Sequence, residues 1–223
     1  KEALADDPLI EDVYYLDKYH KRFLDIFISL IGIILFSPIM VILSVYIIFV
    51  DGFPFYVKQN RVGLHGELFS MYKFRTMKLN SHELRDSLDE LNKSDGPLFK
   101  IENDPRIIKN LEFVRKYSLD ELLQFFNVLK GDMSIVGPRP HMLKHTDEYS
   151  KLVDSYMVRH LVKPGITGPA QVYGFRGETK TTAEMEGRVE LDVWYIENWS
   201  LILDINIIFL TIRNAIKGDE KAF

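Results

Sequence analysis

The most conspicuous pattern in the chain is one long apolar run. It extends from Ile26 to Val50 without a charged residue and is bracketed by Asp25 and Asp51. Twenty-five helical residues reach roughly 37 Å, which exceeds the ~30 Å hydrocarbon core of a bilayer. The run is too long for a signal-peptide core, and no small-residue cleavage site follows it. The pattern therefore predicts a membrane helix near the start of the sequence.

A proline interrupts this run, because Pro38 follows Ser37 close to its middle. Proline has no backbone donor for the carbonyl of Ile34, and an unpaired carbonyl is costly in lipid. Two interpretations stay open: a kinked helix that still crosses, which is commoner, and a bent helix that returns to the same leaflet. Cationic residues on both flanks weakly favour the return. They are Lys18, Lys21, Arg22, Lys58, Arg61, Lys73 and Arg75.

The flanks and the remaining chain predict the other elements. Lys21 and Arg22 are expected to reach lipid headgroups while Phe23 and Leu24 enter the interface. Apolar periodicity predicts strands at 53–62, 67–77 and 170–173 and helices at 105–116, 141–161, 184–199 and 201–217. The last helix is apolar on most of its surface, so it is either a core helix or a second interfacial helix.

The predicted fold class is therefore α+β and mainly helical. Residues 1–16 are an acidic lead-in, 17–51 form the membrane segment, and 52–223 form a cytoplasmic domain. Residues 81–94 have a weak helical period, and turns are expected at 95–97 and 103–105. The sequence opens with Lys1 rather than Met, which fits either a processed product or a fragment of a longer protein.

Composition excludes several classes of function. The formal net charge of −4 argues against general nucleic-acid binding. The chain has no cysteine, so it has no disulfide and no thiolate nucleophile or ligand. Neither of the common glycine-rich nucleotide loops occurs. The histidines form no zinc motif, and the pair His141 and His145, spaced as i and i+4, is more often helix surface than a metal site.

The strongest candidate for chemistry is Ser118-Leu119-Asp120-Glu121, which precedes an apolar run. This pattern fits a capping box, with Ser118 as N-cap and Glu121 reaching back to its amide. Asp120 would lie in the first turn, where the helix dipole favours its ionised form. Adjacent carboxylates point in different directions on a helix, so one can cap while the other binds a ligand or attacks. Helix capping alone is the more frequent explanation of such a pattern.

Cationic residues and glycines on both sides of this box point weakly to a phosphate-containing ligand. Arg139 is pre-organised between Pro138 and Pro140. The glycines would let backbone amides approach an anion. A hard cation such as Mg²⁺ would find carboxylate ligands here. The cations are Lys73, Arg75, Arg106, Arg115, Lys116, Arg139 and Lys163, and the glycines are Gly165, Gly168, Gly174 and Gly177.

Taken together, these stretches resemble one family over about residues 18–220: the bacterial sugar transferases, or monotopic phosphoglycosyl transferases. The stretches occur in the order typical of the family. Tyr117 and Leu123 depart from its usual residues, but neither replaces an acidic residue. The stretches are Lys21-Arg22-Phe23-Leu24-Asp25, Ser37-Pro38, Lys73-Phe74-Arg75-Thr76-Met77, Asn103-Asp104-Pro105-Arg106, Ser118-Leu119-Asp120-Glu121-Leu122, Asn127 to Ser134, Val136-Gly137-Pro138-Arg139-Pro140, Lys163 to Gly168, and Asp192 with Tyr195.

The resemblance implies a reaction at the cytoplasmic face of a bacterial inner membrane. Such enzymes transfer sugar 1-phosphate from a UDP-sugar to a polyprenyl phosphate, release UMP and initiate exopolysaccharide, capsule, O-antigen or glycoprotein glycan synthesis. It implies a monotopic protein in which Ser37-Pro38 returns the helix to its own leaflet, with a small β-hairpin and interfacial helices. A homo-oligomer is compatible with it, and the sugar stays undecided.

The resemblance also assigns roles to residues. Asp120 would be the nucleophile that forms a phosphosugar intermediate, Glu121 would assist, and both would hold Mg²⁺. The substrate-binding residues that it implies are Lys73, Arg75, Asp104, Arg106, Arg115, Pro138, Arg139, Pro140, Lys163, Gln171, Asp192 and Tyr195. From the residues alone, a Mg²⁺-dependent membrane phosphohydrolase and a membrane-tethered docking module stay open as alternatives.

Overall fold

The computed structural model describes residues 19–79, 81, 104–175 and 181–217. The predicted lead-in 1–16, Lys18, most of 81–94, the turn at 95–97, Asn103 and Gly177 lie outside the described residues. The described part is mostly helical with little strand. The helices are α1 (Tyr19–Asp51), α2 (Glu112–Lys116), α3 (Gln124–Lys130), α4 (Leu143–Tyr149), α5 (Pro169–Val172), α6 (Thr182–Glu197) and α7 (Leu201–Lys217), and the strands are β1 (Tyr56–Val62), β2 (Leu68–Phe74), β3 (Ser134–Val136) and β4 (Gly165–Thr167).

Helix α1 contains the whole apolar run, with Pro38 inside it. It is long and apolar enough to cross a membrane, and most of its central surface is not covered by the rest of the described structure. Ser37 Oγ donates a hydrogen bond of 2.9 Å to the carbonyl of Ile34. The hydroxyl therefore satisfies the acceptor that the proline leaves without a helical donor.

The start of α1 is fixed to the domain by buried polar contacts, so the expected headgroup contact of Lys21 and Arg22 is wrong. Lys21 is buried, and its Nζ donates to Asp204 Oδ2 at 2.7 Å. Arg22 donates to the last carbonyls of α3, those of Val128 and Leu129. Asp25 accepts hydrogen bonds from the Ser134 hydroxyl and the Ile135 amide at the start of β3. These charges hold the helix because the domain supplies partners that lipid cannot.

Strands β1 and β2 form the predicted antiparallel hairpin, with Tyr56 paired to Phe74 and Val62 to Leu68. The sequence did not predict the second pair, in which β3 and β4 run parallel. Gly165 lies so close to this neighbour that an added Cβ would stand 2.1 Å from the amide nitrogen of Gly137. Its own amide donates to the carbonyl of Pro138, so it serves strand pairing rather than an anion.

Other elements differ from the sequence-based expectations. The helix expected at 105–116 is limited to α2, because residue 107 instead pairs with residue 77 as a β-bridge. The helix expected at 141–161 is divided into α4 and a 3₁₀ segment, Tyr156–Leu161, by a left-handed Ser155. The strand expected at 170–173 is the short helix α5, which begins with Pro169 at its first position.

Helices α6 and α7 confirm the last two predicted helices. Ile207 of α7 is buried in the main core with Met133 and Val136, and its neighbours Leu203 and Ile208 pack against that core. The opposite side of α7 remains uncovered, and four large apolar side chains on it are exposed. They are Ile202, Ile205, Phe209 and Ile212. The helix therefore combines the two alternatives that the sequence left open, with one face in the core and one apolar face outward.

Candidate active site

The two adjacent acids lie on a tight turn rather than on a capped α-helix. Leu119–Glu121 form one turn of 3₁₀-helix, and helix α3 begins only at Gln124. Ser118 adopts a left-handed conformation (φ 53°), and its side chain makes no capping hydrogen bond. The predicted capping box is therefore wrong. Because Glu121 does not reach back to the chain, its carboxylate is available for other partners.

Both acids converge on one ammonium group. Lys73 of β2 approaches Glu121 Oε1 at 2.8 Å and Asp120 Oδ2 at 3.4 Å. The expectation that neighbouring carboxylates diverge is wrong here, because the segment is a single 3₁₀ turn and Lys73 lies between the two acids. The hairpin therefore determines where the two carboxylates meet.

Arg139 is the second cation of this group. Its guanidinium donates to both carboxylate oxygens of Glu121, at 2.8 Å and 3.3 Å. Its backbone is held from two sides: the carbonyl of Pro138 accepts the amide of Gly165, and the carbonyl of Arg139 accepts Arg159 Nη2. The two prolines and these bonds give Arg139 a fixed approach to Glu121.

These contacts make the two acids electrostatically different. Burial alone would raise the pKa of Glu121, but Arg139 and Lys73 outweigh it and hold the pKa well below its usual value. Burial raises the pKa of Asp120, and repulsion by Glu121 adds to this, while Lys73 opposes it. The helix dipole was expected to favour ionised Asp120, yet desolvation is the stronger effect. Asp120 is therefore the less stabilised and more basic carboxylate.

A cavity of about 140 Å³ adjoins Glu121 and Arg139. Its walls come from the acidic turn, from β4 and α5, from α7, and from Phe36 of α1. The side chain of Gln171 is buried in this wall, and its Oε1 has no hydrogen-bond partner among the described residues. The lining residues are Phe36, Ser118, Glu121, Leu122, Phe125, Arg139, Ile166, Thr167, Gln171, Val172, Thr211 and Asn214.

The cavity joins the acidic turn to the membrane helix. Phe36 stacks on Phe125 with ring centroids 6.3 Å apart. Phe36 directly precedes the Ser37-Pro38 break, so one wall of the cavity belongs to the most apolar part of the chain. The cavity thus has charged groups at one side and apolar groups at another, which suits a ligand with a charged part and an apolar part.

Several predicted residues surround this centre without joining it. Asp104 and Arg106 form an ion pair with each other at 2.5 Å. Burial raises the pKa of Asp104, but hydrogen bonds from Arg106 outweigh it and lower the pKa below its usual value. Arg115 acts on Asp104 and on Asp120 through its charge. Lys163 is half-buried in the turn that leads into β4.

Three other predicted substrate residues lie elsewhere in the structure. Arg75 is buried and bonds to the end of α1 and the following turn: to the Asp51 carboxylate and carbonyl, and to the carbonyls of Gly52 and Pro54. Asp192 is fully buried and accepts Arg159 at 2.7 Å. The hydroxyl of Tyr195 is buried between Lys21 and Asp204. The structure therefore gives these three side chains supporting positions behind the site.

Sequence reasoning missed the contribution of α7 to the cavity. Thr211 shares a hydrogen bond of 2.6 Å with Thr167, and Asn214 donates to the carbonyl of Val172. The available signal is their spacing: Asp204, Ile207, Thr211 and Asn214 follow the i, i+3, i+7, i+10 rule for one helix face. Polar residues on the inner face of an otherwise apolar helix indicate a polar site.

No group of three or more acidic or histidine side chains is close enough to hold a metal ion in the part of the chain that the structure describes. The acidic turn offers two carboxylates, which are hard oxygen donors. A cation there would compete with Lys73 and Arg139.

The acidic pair is clamped by cations, and the adjoining cavity lies beside the proline break of the long apolar helix. Comparison with known proteins identifies the class: residues 16–218 match the family model "Bacterial sugar transferase". The chain belongs to this family, as the sequence motifs predicted.

Curated relatives agree with the family assignment. The chain is 44% identical over 86% of its length to a UDP-glucose:undecaprenyl-phosphate glucose-1-phosphate transferase from Klebsiella pneumoniae, covering 39% of that protein. It is 42% identical over 91% of its length to an undecaprenyl-phosphate galactose phosphotransferase from Salmonella typhimurium, covering 41% of it. An uncharacterized sugar transferase from Bacillus subtilis is 41% identical over 84% of the chain and is covered to 79%. The chain thus spans about two fifths of the first two relatives.

Proposed function

We propose that this protein transfers sugar 1-phosphate from a UDP-sugar to a membrane polyprenyl phosphate, most simply undecaprenyl phosphate, and releases UMP. The activities for which the relatives from Klebsiella and Salmonella are named support the acceptor and the type of group transferred. The observation that carries the proposal is the inequality of the two acids. Glu121 is clamped by Lys73 and Arg139, whereas the Asp120 carboxylate has, among the described residues, only the longer contact to Lys73.

In the first step, a carboxylate oxygen of Asp120 attacks the sugar-bearing phosphorus of the UDP-sugar. The bond from this phosphorus to the bridging oxygen breaks, and UMP leaves with that oxygen and its electron pair. The product is an aspartyl phosphosugar. Asp120 suits this role because a carboxylate that is poorly stabilised by its surroundings is the more reactive nucleophile. Glu121, held anionic, positions Lys73 and Arg139 toward the diphosphate.

In the second step, a phosphate oxygen of the polyprenyl phosphate attacks the same phosphorus. The bond to Asp120 breaks, the carboxylate is restored, and a polyprenyl diphosphate sugar is formed. The two steps allow a soluble donor and a lipid acceptor to use one nucleophile in turn. The position of the cavity, between the acidic turn and Phe36, supports such an exchange.

Mg²⁺ belongs to this proposal as a cofactor. Asp120 and Glu121 would supply oxygen ligands, and the diphosphate of the donor would supply further oxygens. The two carboxylates already accept one shared cation, the ammonium of Lys73, so the position suits positive charge. When bound, the metal neutralises negative charge that develops on the diphosphate. Lys73 and Arg139 add to this from the protein side.

The proposal also places the protein on the cytoplasmic face of the bacterial inner membrane, with α1 as a re-entrant helix. Its support is the proline at the middle of α1, with the hydroxyl of Ser37 satisfying the freed carbonyl. Tags at the two ends should be accessible from the same side of the membrane. Pro38→Ala restores the missing amide and should convert part of the population to a crossing helix. Tags on opposite sides in the unmodified protein would exclude the re-entrant arrangement.

The experiment that tests the reaction is UMP release from a panel of UDP-sugars by the protein in lipid nanodiscs. Release should require polyprenyl phosphate, and donor alone should leave a hexose phosphate on the peptide that carries Asp120, detected by mass spectrometry after a rapid quench. Release without acceptor would favour a phosphohydrolase. A lack of release and adduct with every donor would favour a docking module. The same panel identifies the sugar.

A further inference from the structure

Arg61 is a further cation near the acidic pair. It lies at the end of β1, where its Nη2 donates to the side chain of Gln59 at 2.7 Å. Its Nε is buried and has no hydrogen-bond acceptor among the described residues. No carboxylate in the described part of the chain lies within ion-pair distance of it. A partly buried guanidinium in this condition is unusual, because such groups are normally paired.

The strand register places Arg61 on the same side of the hairpin as Lys73. Arg61 pairs with Phe69 and Val57 pairs with Lys73, and residues directly opposite share a face. Positions 57 and 61 are four residues apart, so the two cations are separated by roughly 13 Å along the face. The neighbouring residue Val62 donates its amide to the carbonyl of His141, which fixes this end of β1 beside the segment that carries Arg139.

The charges around Arg61 are consistent with this position. Burial first, and repulsion by Arg139 second, lower the pKa of Arg61 to about 10, while Glu121 opposes them. Arg61 in turn lowers the pKa of His145, adding to the effect of burial. The group therefore stays protonated at neutral pH in spite of a second arginine nearby. Arg139 is paired with Glu121, whereas Arg61 has no counter-charge within ion-pair distance among the described residues. Keeping such an unpaired arginine beside another one costs stability, and functional sites are where such costs are retained.

A count of charges indicates what the pair accommodates. Among the described residues, Arg61, Lys73, Arg115 and Arg139 act on the region of Asp120 and Glu121, so their cations exceed these two carboxylates by two. Asp104 and Arg106 neutralise each other and leave this excess unchanged. Each bridging phosphate group carries about one negative charge, so a diphosphate would offset this excess of protein charge, to which bound Mg²⁺ would add further positive charge. Arginine is well suited to such oxygens, since its fork can donate to two of them.

We propose that Arg61 and Arg139 together form a phosphate-binding subsite of the acidic centre, with Arg61 donating through Nε and its free Nη hydrogens. This inference rests on the proposed function and names a second arginine for it. The phosphate belongs either to the departing UMP portion of the donor or to the polyprenyl phosphate. The chemistry of recognition is the same for both, and kinetics with each substrate separates them.

The test is the substitution Arg61→Gln, with Lys58→Gln as a matched control. Lys58 is exposed on the same strand and pairs with Tyr72, so it lies on the opposite face and its loss changes the charge equally. Arg61→Gln should raise KM for one substrate, or for both, by about 10- to 100-fold. A rise for the UDP-sugar assigns the phosphate to the donor, and a rise for polyprenyl phosphate assigns it to the acceptor. Lys58→Gln should leave both values unchanged.

The melting temperature distinguishes a phosphate-binding role of Arg61 from a merely structural role. Loss of a structural arginine would lower the melting temperature. Because Arg61 repels Arg139, Arg61→Gln should leave the melting temperature in nanodiscs unchanged or raise it. Arg61→Lys keeps the positive charge but loses the guanidinium, which can donate to two oxygens. Its KM should lie between those of the unmodified protein and Arg61→Gln. If Arg61→Gln does not fold, Arg61→Lys alone must still raise a KM value.

Unchanged KM values for both substrates in Arg61→Gln, or in Arg61→Lys if only that variant folds, would overturn the inference, whatever happens to the melting temperature or to kcat. This outcome differs from failure of the proposed function, in which the unmodified protein itself releases no UMP from any UDP-sugar.

Discussion

Lys21 and Lys73 each lie at the centre of a cluster of polar and acidic groups, but one cluster is closed to solvent and the other is open. Lys21, in the anchor cluster, contacts Asp204, the hydroxyl of Tyr195 and the carbonyl of Val136. Lys73, in the acidic cluster, contacts Asp120 and Glu121. The anchor cluster is buried from solvent, since the side chains of Lys21 and Asp204 are only 9% and 1% exposed. In the acidic cluster, Arg139 is 31% exposed and Lys73 is 16% exposed.

The two clusters differ in how completely their charges are matched by fixed partners. In the anchor cluster, Asp204 also accepts hydrogen bonds from Tyr195 and Trp199, so the charges are matched by fixed donors. The acidic cluster has two cations and two acids, but among the described residues Arg61 and Arg115 add positive charge around it, and a cavity adjoins it. A balanced and closed network contributes to a unique fold, whereas an unbalanced and open one requires a ligand. The predictions below depend on this distinction.

The largest expected effect is that of Asp120→Asn, which should reduce UMP release about a thousandfold or more, since it removes the nucleophile. Folding raises the pKa of Asp120, so this residue stabilises the fold only when it is protonated. That contribution is lost as the pH rises through the raised pKa. At neutral pH the neutral Asn should therefore leave the melting temperature unchanged or raise it. Steady-state kinetics and thermal melting in nanodiscs measure both effects.

Asp147→Asn provides the control, because Asp147 is exposed on α4 and the charge change is identical. It should retain full activity. Substantial turnover by Asp120→Asn would remove this residue from the nucleophile's role, and so would a hexose phosphate adduct on a different peptide.

The same substitution applied to both lysines tests the comparison directly. Lys21→Met leaves Asp204 buried without a counter-charge and should destabilise the fold by about 3 kcal/mol or more. Lys73→Met leaves Glu121 paired with Arg139, and Asp120, whose pKa is raised by burial, can become protonated. The variant should therefore cost about 1 kcal/mol while reducing activity at least tenfold. Thermal melting and UMP release are measured on the two variants in parallel. Equal losses of stability would mean that the two clusters do not differ as described.

The sequence predicted the parts of the fold that depend on local pattern. The apolar run gave α1, and alternation gave the hairpin of β1 and β2. It did not give the β3–β4 pair, because a parallel pair of short strands depends on contacts far apart in the chain. The family motifs named Lys73, Asp120, Glu121 and Arg139 for one site, and the structure brings these side chains together, but the Ser-x-x-Glu spacing had assigned the acids to a capping box.

The partners of charged residues were hardest to predict. Lys21 was expected at the lipid surface and Arg75 at the substrate, yet each bonds to groups that tertiary structure supplies. A charge next to an apolar run is equally compatible with lipid headgroups and with a buried acid. The deciding residue, Asp204, lies on a helix at the other end of the chain. Arg61 was overlooked for a related reason: only the strand register places it on the face of Lys73.

A moderate effect is expected on the pH dependence of the rate. Protonated Asp120 cannot attack, and its pKa is raised mainly by burial. The rate should therefore fall toward acid over a pH range above the usual pKa of an aspartate. Lys73 lowers this pKa through its charge, so Lys73→Gln should move the acid limb to higher pH. Lys116→Gln removes an exposed charge nearby and should not move it. A limb that shifts to lower pH in Lys73→Gln would contradict the assigned interaction.

The smallest effect is expected at the proline break of helix α1. Ser37 and Ser44 both donate to helix carbonyls, those of Ile34 and Met40. The carbonyl of Met40 also has the amide of Ser44 as its helical donor, whereas Pro38 gives the carbonyl of Ile34 none. Ser37→Ala should therefore destabilise the protein in nanodiscs by about 1 kcal/mol, and Ser44→Ala by less. Thermal melting of the two variants measures this difference. Equal melting temperatures would mean that the hydroxyl of Ser37 does not compensate for the proline, and that the broken helix obtains its stability elsewhere.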